Sequence, residues 1–269
     1  MNQRSPHDSI ASLGPRVGPV AARHIESAFR RLLHGPRVAA EPGYVRLVTG
    51  EPHPFGNVAI VSDGSNLAGV QAAIDPLLTC GAPAAVLVPG RVSEAVNECL
   101  NAHAFERHEA MPAMAVEIDA LAPTGLPEGY ALTRVGAGSD GAAWTRAFAA
   151  GYELPYGVAE AFSPNAVRAT TAPDAPVQFF AVHKDGRMVG TSLVFLADGV
   201  AGVYCVSTIP EERGRGLGAH ATAEPLRRVH ALGYRVGVLQ SSPAGHSVYR
   251  KLGFADVDEA PLYVRMPDC

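Results

Sequence analysis

The sequence predicts an α/β (α+β) protein made of two halves, each of which combines strands with helices. Three observations carry this prediction. Short apolar strand patterns alternate with amphipathic helix patterns along the chain, and a Pro/Gly cluster at 122–129 separates two comparable parts. The chain has 269 residues, more than one typical domain, and its hydrophobic content of 47% is enough for a sizeable core.

The first half is expected to be a flexible N-terminal segment, 1–19, followed by an α/β domain at 20–121. The patterns of this domain predict, in order, helix 20–33, strands 44–49 and 58–62, helix 67–78, strand 84–88, helix 93–102 and strand 114–118. This alternation is typical of an α/β unit.

The cluster 122–129 is the predicted linker, because its prolines and glycines break both helix and strand. The second half, 130–269, predicts strand 130–135, helices 140–150 and 158–169, strands 178–183, 188–195 and 200–208, helix 216–232, strand 235–240, and a short helix ending at Gly253 before a last strand-like segment. Turn residues between strands predict that the three successive strands are antiparallel. Pro225 is expected to kink helix 216–232 or to split it at Glu224.

The most informative motif is the glycine loop, Arg213-Gly214-Arg215-Gly216-Leu217-Gly218, between a strand and the long helix. Its glycines permit positive φ and let backbone N–H groups approach a ligand closely. A helix N-terminus adds unpaired donors and partial positive charge, and the two arginines add full charges. These features favour a pyrophosphate. A turn that only joins strand and helix is the structural alternative.

A second motif, Tyr249-Arg250-Lys251-Leu252-Gly253-Phe254, follows further along the chain. The two motifs together resemble the GNAT superfamily of N-acetyltransferases, whose pattern is [Gln/Arg]-x-x-Gly-x-[Gly/Ala] followed by Tyr-x-[Lys/Arg]-x-Gly-Phe. The matching residues are Arg213, Gly216 and Gly218, and then Tyr249, Lys251, Gly253 and Phe254. The resemblance covers 130–266 and implies a mixed, mainly antiparallel sheet flanked by helices, with 130–269 as the catalytic domain.

The first half is similar to the degenerate copy found in tandem members of this superfamily. Its helix at Leu67 follows Ser62-Asp63-Gly64-Ser65-Asn66, which lacks the Arg/Gln-x-x-Gly-x-Gly pattern, and Asp63 would repel a pyrophosphate. This half is therefore expected not to bind the cofactor. Packing, shaping of the substrate site and formation of a homodimer are the roles left open for it.

A dinucleotide site is the main rival for the glycine loop, since Gly214-x-Gly216-x-x-Ala219 fits the relaxed Rossmann fingerprint. That fingerprint requires an acidic residue about 20 residues further on, at the end of the next strand. Here the next strand ends in Leu239-Gln240-Ser241-Ser242, and no carboxylate occurs before Asp256. The pattern therefore favours the acetyltransferase interpretation.

The resemblance implies acetyl-CoA as co-substrate and no metal. The pantetheine arm would run along one strand, where a backbone N–H, that of Val206, would polarise the thioester carbonyl. Tyr249, a phenol with an ordinary pKa of about 10, would protonate the leaving thiolate. An ordinary buried strand and a core aromatic are the structural alternatives. The residues expected to bind the cofactor are Val206, Ser207, Thr208, Arg213, Gly214, Arg215, Gly216, Leu217, Gly218, Ala219 and Ser242.

The general base is left unassigned. A lysine amine of pKa about 10.4 costs about 4.6 kcal/mol to deprotonate at pH 7, and an α-amine of pKa about 8 costs about 1.4 kcal/mol. Many superfamily members place a glutamate on the strand before the glycine loop, but 199–208 contains no acidic residue. Glu153, Glu160, His246 or an ordered water are the candidates, and an amine of low pKa would need none of them.

The acceptor is expected to be a small-molecule amine or a peptide amine. Segment 152–162 combines aromatic residues with carboxylates, which suits a cationic amine with apolar surface, although packing between the halves explains it equally well. A non-catalytic acyl-CoA-binding or interaction module is the alternative function. The missing strand carboxylate supports it, as does Ser242, where the superfamily often has an asparagine.

Composition excludes several other classes. The net charge is −4 and no Lys/Arg-rich run occurs, so nucleic acid is not an expected partner. The four cysteines form no C-x-x-C pair and no metal-ligand spacing, which predicts reduced thiols. No apolar run reaches 18 residues and the first 20 residues lack a signal-peptide core, so no membrane association and a cytoplasmic location are expected.

Overall fold

The computed structural model describes residues 8–108 and 110–267, which form two sheets with helices packed around them. The helices are α1 (Ile10–Leu13), α2 (Val17–Leu32), α3 (Leu67–Thr79), α4 (Glu94–Ala102), α5 (Ser139–Tyr152), α6 (Tyr156–Ala161), α7 (Leu217–His230) and α8 (Pro243–Leu252). The strands are β1 (Val38–Glu41), β2 (Tyr44–Val48), β3 (Asn57–Val61), β4 (Ala84–Leu87), β5 (Glu106–Arg107), β6 (Met111–Glu117), β7 (Tyr130–Val135), β8 (Val177–Lys184), β9 (Arg187–Ala197), β10 (Val200–Thr208), β11 (Val236–Gln240), β12 (Ala255–Ala260) and β13 (Leu262–Arg265).

Both sheets are mixed and mainly antiparallel, and helices flank them, so the predicted fold class is confirmed. The first sheet has the strand order β1-β2-β3-β4-β13-β5, and the second has the order β12-β6-β11-β10-β9-β8-β7. Strands β7 to β10 are successive antiparallel neighbours, whereas β10 and β11 run parallel. The parallel pair is joined by α7, as a parallel connection requires a crossover.

The two halves exchange strands, which the predicted boundary at 122–129 does not anticipate. Strand β6 precedes this segment but lies in the second sheet, between β12 and β11. Strand β13, near the end of the chain, lies in the first sheet between β4 and β5. The division into 20–121 and 130–269 therefore has to be corrected at both ends, because strand pairing depends on contacts remote in sequence.

The first residues also differ from the flexible segment expected at 1–19. Residues 1–7 lie outside the described part of the chain. From residue 9 onward the backbone is helical or capped: Ser9 and Ser12 form a capping box at α1, and Leu13 is 2% exposed. Leu13 packs in a buried cluster with Ala113 and Val236 of the second sheet, which holds this segment in place.

Two predicted helices differ from those observed. The helix expected at 158–169 is only α6, which ends at Ala161; Pro164, three residues further on, has no N–H with which to continue it. Helix α7, by contrast, continues through Pro225, so of the two expected effects of Pro225, a kink or a split at Glu224, the split does not occur. Pro225 is buried with Leu226 and Val229 on the face of α7 that packs on the second sheet, so tertiary packing outweighs the lost backbone hydrogen bond.

The largest core cluster is shared by the two halves. It contains Ile25 and Leu32 from α2, Ile60 from β3, and Trp144 and Phe148 from α5, among others. Apolar burial of this kind is the main favourable contribution to stability. It also places the first half directly against β10, where the predicted site lies.

Candidate functional site

Strand β10 contains a β-bulge at the residues predicted to contact the pantetheine arm. Tyr204 pairs with Leu193 of β9 and Ser207 pairs with Thr191, so Cys205 and Val206 together face one residue of β9. Cys205 has a φ of 52°, an unusual conformation for a residue with a side chain. A bulge redirects the backbone and interrupts the ladder, and here it does so beside Val206.

The neighbouring strand β11 separates from β10 at the same level. Their parallel register comprises Ala201 with Gly237 and Gly202 with Val238, whereas β11 stays paired with β6 as far as Gln240. Beyond Gly202 the two strands therefore diverge, which leaves a cleft at their carboxyl ends. Clefts at the carboxyl ends of parallel strands are common ligand sites.

Buried hydroxyl groups hold the bulge in its shape. Thr191 Oγ1 donates to the Cys205 carbonyl at 2.8 Å and lies 2.7 Å from Ser207 Oγ. Gly151 of α5 packs against the same place, since a Cβ there would lie 2.6 Å from Ser207 Oγ. The Ser207 side chain thus packs inside the protein against Thr191 and Gly151, and a ligand would contact only the backbone of this residue.

The glycine loop has the open backbone expected of an anion site. Gly214 and Gly216 have φ values of 78° and 77°, and an added Cβ at either would meet no atom within 4 Å. Gly216 is the N-cap of α7 and provides no side-chain cap, and the first turn of α7 contains no acidic residue. The first N–H groups of α7 are therefore donors without a side-chain partner at the positive end of the helix dipole, an arrangement that suits an anion.

The loop arginines, expected to add positive charge to the anion site, already have partners within the protein. Arg213 donates to the Thr208 carbonyl at 3.2 Å and to the Gly151 carbonyl at 2.9 Å, and its guanidinium lies 3.7 Å from Glu153. Arg215 lies 3.0 Å from Glu212. Both arginine side chains remain about half exposed, at 50% and 51%.

The remaining residues predicted at the loop, Leu217, Gly218 and Ala219, pack against the protein and do not extend into solvent. Leu217 is 2% exposed and belongs to a buried cluster, Ala219 packs against a second cluster, and an added Cβ at Gly218 would lie 3.9 Å from the Val206 side chain. The loop and the bulge are therefore adjacent. Leu217, Gly218 and Ala219 can contact a ligand only through their backbone.

Tyr249 lies on α8, one turn before its Gly253 cap, and reaches the same region. Its ring packs edge-on against Phe254 at a centroid distance of 5.9 Å. Burial raises the pKa of Tyr249 to about 12, and a hydrogen bond with Thr222 acts in the opposite direction. Tyr249 is therefore a protonated phenol at neutral pH.

Ser242 has a structural use that the sequence motif did not assign to it. It is the N-cap of α8, and its hydroxyl oxygen accepts from the Gly245 N–H at 3.3 Å. Ser at an N-cap stabilises a helix by about 1 kcal/mol. Ser242 is also exposed, so contact with a ligand remains a prediction.

A single cavity brings together Val206, Cys205 and Tyr249. It is mostly apolar, and its polar lining residues are Tyr152, Tyr204, Cys205, Gln240 and Tyr249. Burial raises the pKa of the Cys205 thiol to about 12, so this thiol is protonated at neutral pH. Of segment 152–162, Tyr152, Leu154 and Phe162 line this cavity.

The candidate bases do not line the cavity. Glu153 caps α5 with its side chain 74% exposed, and Glu160 is exposed on α6. His246 lies 2.9 Å from Asp256 on the surface. The structure therefore assigns none of the three to the reacting centre.

Sequence reasoning missed His24, Tyr204 and Gln240. His24 of α2 is 1% exposed, and its Nδ1 lies 2.7 Å from the Tyr204 hydroxyl. An added Cβ at Gly202 would lie 2.3 Å from the His24 ring, so glycine is needed for this contact. A single histidine in an amphipathic helix carries no pattern that would have revealed it.

Among the described residues, no cluster of His, Cys, Asp or Glu could hold a metal ion. No helix in the described part of the chain is long and apolar enough to cross a membrane.

The family model described as the acetyltransferase (GNAT) family matches residues 144–254, which include β10, the glycine loop and Tyr249. The mycothiol acetyltransferase of Streptomyces avermitilis is 32% identical over 93 residues, a match that spans 33% of this chain and 30% of that relative.

Solved structures share the fold across the whole chain. A GCN5-related N-acetyltransferase from Kribbella flavida has a TM-score of 0.63 at 22% identity and covers 93% of this chain and 96% of that one. A tandem GNAT protein from the clavulanic acid biosynthesis pathway has a TM-score of 0.53 at 15% identity and covers 99% and 98%. Over residues 144–254, this chain is therefore similar to the acetyltransferase (GNAT) family, and over most of its length it has the fold of the two solved structures.

Proposed function

We propose that the protein is an N-acetyltransferase that moves the acetyl group of acetyl-CoA to a primary amine by direct attack. The similarity of residues 144–254 to the acetyltransferase (GNAT) family supports acetyl-CoA as the donor. The observation that carries the proposal is the single cavity lined by both Val206, at the bulge, and Tyr249. The Val206 backbone N–H is suited to polarise a thioester carbonyl, and the Tyr249 hydroxyl is suited to protonate the leaving thiolate.

The glycine loop would hold the pyrophosphate of acetyl-CoA. Its open backbone at Gly214 and Gly216 lets phosphate oxygens approach the uncapped N–H groups of α7. Arg213 and Arg215, half exposed, add positive charge beside them. The pantetheine arm would then lie in the cleft between β10 and β11, along the backbone of 206–208.

In the proposed reaction the amine nitrogen forms a bond to the thioester carbonyl carbon, and the Val206 N–H stabilises the oxyanion. The carbon–sulfur bond then breaks, and the thiolate takes the Tyr249 proton. The proton lost by the nitrogen finally restores Tyr249, so the amine and acetyl-CoA give the amide and CoA. An exposed thiol has a pKa of about 8.5. Burial raises the pKa of Cys205 in this cavity to about 12, and it would raise the pKa of the leaving CoA thiol in the same direction. The pKa of that thiol would then approach the pKa of Tyr249, which is also about 12.

Cys205 is not suited to carry the acetyl group itself. A cysteine attacks as its thiolate, and burial keeps this thiol protonated. The acetyl group is therefore expected to pass directly from CoA to the amine without an acyl-enzyme.

The proposal is tested by calorimetric titration with acetyl-CoA and by release of free thiol in the presence of an amine panel. Gly216→Asp is expected to weaken acetyl-CoA binding at least about 100-fold, because it places an anion where the pyrophosphate lies. Gly186→Asp is the matched control: Gly186 has the same φ of 77° and equally open space, in the turn between β8 and β9. Equal loss of binding in both variants would contradict the pyrophosphate site, and binding without turnover would indicate a non-catalytic acyl-CoA-binding module.

A further inference from the structure

The cavity at Tyr249 extends between the two halves of the molecule. Helix α2 contributes Ile25, Phe29 and Leu32, and the first sheet contributes Val58, Ile60 and Leu87. About 130 Å³ of the cavity is open to the centre of a water molecule. An engineered apolar cavity of about 150 Å³ binds benzene, so this space suits a group about the size of one aromatic ring.

None of the residues that line this cavity in the described chain is Asp, Glu, Lys, Arg or His. Burial raises the pKa values of Tyr152, Tyr204, Cys205 and Tyr249, so these groups are uncharged at neutral pH. Behind Tyr204, burial lowers the pKa of His24 to about 4, and the nearby Asp198 carboxylate does not line the cavity. An ammonium ion would therefore enter without a countercharge, which is unfavourable.

Gln240 is one of the polar residues that line the cavity. Its side-chain nitrogen donates to the Ala21 carbonyl at 2.5 Å. This contact fixes the orientation of the amide, because a carbonyl oxygen only accepts and the NH₂ group is the only donor of the amide. The other atom, Oε1, is buried without a hydrogen-bond partner among the described residues. A buried acceptor of this kind is normally satisfied by a donor, either an ordered water or an N–H group of a ligand.

We infer that the acceptor is an amine that is uncharged at neutral pH and carries a compact apolar group, as an aromatic amine does. This inference rests on the proposed function. The ring would occupy the apolar space, and an N–H of the amine would donate to Gln240 Oε1. A longer acyl chain on CoA would fill the same space but offers no donor to Gln240.

This substrate class also removes the need for a general base before the attack. The lone pair of an aromatic amine is delocalised into the ring, so the nitrogen arrives neutral. It forms the C–N bond to the thioester carbon as the C–S bond breaks, and it loses its proton only after it has become positively charged. The missing carboxylate on β10 then agrees with the chemistry of the acceptor.

The first experiment compares two isomeric amines, 4-methylaniline and benzylamine, which have the same atoms but differ in basicity. We expect kcat/KM at pH 7 to be at least about tenfold higher for 4-methylaniline and to stay constant between about pH 6.5 and 8.5, whereas the value for benzylamine rises about tenfold per pH unit. Preference for benzylamine at pH 7 would overturn the inference, because it would reveal a base or a countercharge at the site.

Leu262→Trp tests where the acceptor binds, since Leu262 lines the cavity. Leu67→Trp is its matched control, because Leu67 is also partly buried in the first half but lies outside the cavity lining. With 4-methylaniline as the acceptor, we expect Leu262→Trp to raise the Michaelis constant at least about tenfold with little change in acetyl-CoA affinity, and Leu67→Trp to leave both unchanged. If Leu262→Trp instead abolished transfer from hexanoyl-CoA and spared transfer to 4-methylaniline, the cavity would hold the acyl chain and the inference would fail.

Different results would refute the proposed function and the inferred class of acceptor. Absence of acetyl-CoA binding would refute the proposed function. Acetyl-CoA binding together with no calorimetric binding of 4-methylaniline to the CoA-saturated protein would refute the acceptor class alone. Binding of both, with 4-methylaniline binding lost in Leu262→Trp, supports the inference.

Discussion

Tyr249 combines two properties that a proton donor to a thiolate needs. It lines the cavity beside Val206, and burial raises its pKa to about 12, so the proton is present throughout the neutral range. A phenol of ordinary pKa in water would be a stronger acid. In the proposed reaction, burial like that which raises the pKa of Cys205 would also weaken the acidity of the leaving thiol, so the pKa values of the two groups would stay close.

Tyr249→Phe is expected to lower kcat about 100-fold or more at pH 7, because the ring stays and only the proton is lost. The affinity for acetyl-CoA is expected to change little. Thiol release and calorimetry measure the two quantities. Tyr234→Phe serves as control, since the ring of Tyr234 packs in the same core but does not line the cavity. An unchanged kcat in Tyr249→Phe would remove Tyr249 from the mechanism.

At the scale of elements, the bulge of β10 depends on a hydroxyl of the adjacent strand. Thr191 is fully buried, and its hydroxyl contacts both the Cys205 carbonyl and the Ser207 hydroxyl. These two contacts lie on either side of Val206 in the sequence. The geometry of the Val206 backbone therefore depends on Thr191.

Thr191→Val keeps the shape of the side chain and removes this hydroxyl. We expect it to cost about 1–3 kcal/mol of unfolding free energy, because two buried polar groups lose a partner, and to lower kcat/KM about tenfold. Thr145→Val is the control: among the described residues, the buried Thr145 hydroxyl has one hydrogen-bond partner, the Gly141 carbonyl within α5. Denaturant unfolding and steady-state kinetics separate the effects, and equal kinetic losses in both variants would show that the bulge is not specifically held by Thr191.

The sequence predicted the elements better than their pairing. Strand β7 begins and ends at the predicted residues, 130–135, and β10 does so at 200–208, because turn residues and apolar runs are local signals. The bulge at Cys205 has no such signal, since the run is continuously apolar through it. The exchange of β6 and β13 was equally hidden, because each reads as an ordinary strand and its sheet is decided by distant partners.

The site shows the same division. The glycine loop and the Tyr249 motif were visible because glycine and a fixed spacing mark them in the sequence. The apolar wall from α2 and β3 could not be predicted, because residues such as Ile25 and Ile60 are typical core residues until the two halves are placed together. Glu153 and Glu160, the candidate bases of segment 152–162, are exposed, and their position could not be predicted for the same reason.

At the scale of the whole molecule, His24 couples the junction of the two halves to pH. It is buried between α2 and β10, and burial lowers its pKa to about 4, from about 6.5 in an unfolded chain. Between these values the unfolded chain binds more protons than the folded protein. The contribution of His24 to stability is therefore complete above about pH 6.5 and is lost as the pH falls toward 4.

The loss is expected to reach about 3 kcal/mol of unfolding free energy between pH 7 and pH 4, because the pKa of His24 is about 4 in the folded protein and about 6.5 in the unfolded chain. Denaturant unfolding at a series of pH values measures it. In His24→Asn, which does not titrate, the same range is expected to show a smaller slope. Identical slopes in the two proteins would show that His24 is not the group responsible.

The exchange of strands predicts that the two halves do not fold independently. A chain of residues 8–121 lacks β13, which is an interior strand of the first sheet, and a chain of residues 130–267 lacks β6, an interior strand of the second. Each isolated half would expose unpaired strand edges and the apolar surface of the shared core. The intact protein is accordingly expected to unfold in one cooperative transition.

Scanning calorimetry tests this directly, with equal calorimetric and van't Hoff enthalpies as the expected result. Each half produced alone is expected to be aggregated or unfolded, whereas the two produced together are expected to form a complex. A protease site inserted at Thr124 provides the control, because cutting there severs the linker but leaves both exchanged strands in place. The cut protein is expected to stay associated and to keep its acetyl-CoA affinity. Two separate transitions, or a stably folded isolated half, would mean that β6 and β13 join the sheets without being required by them.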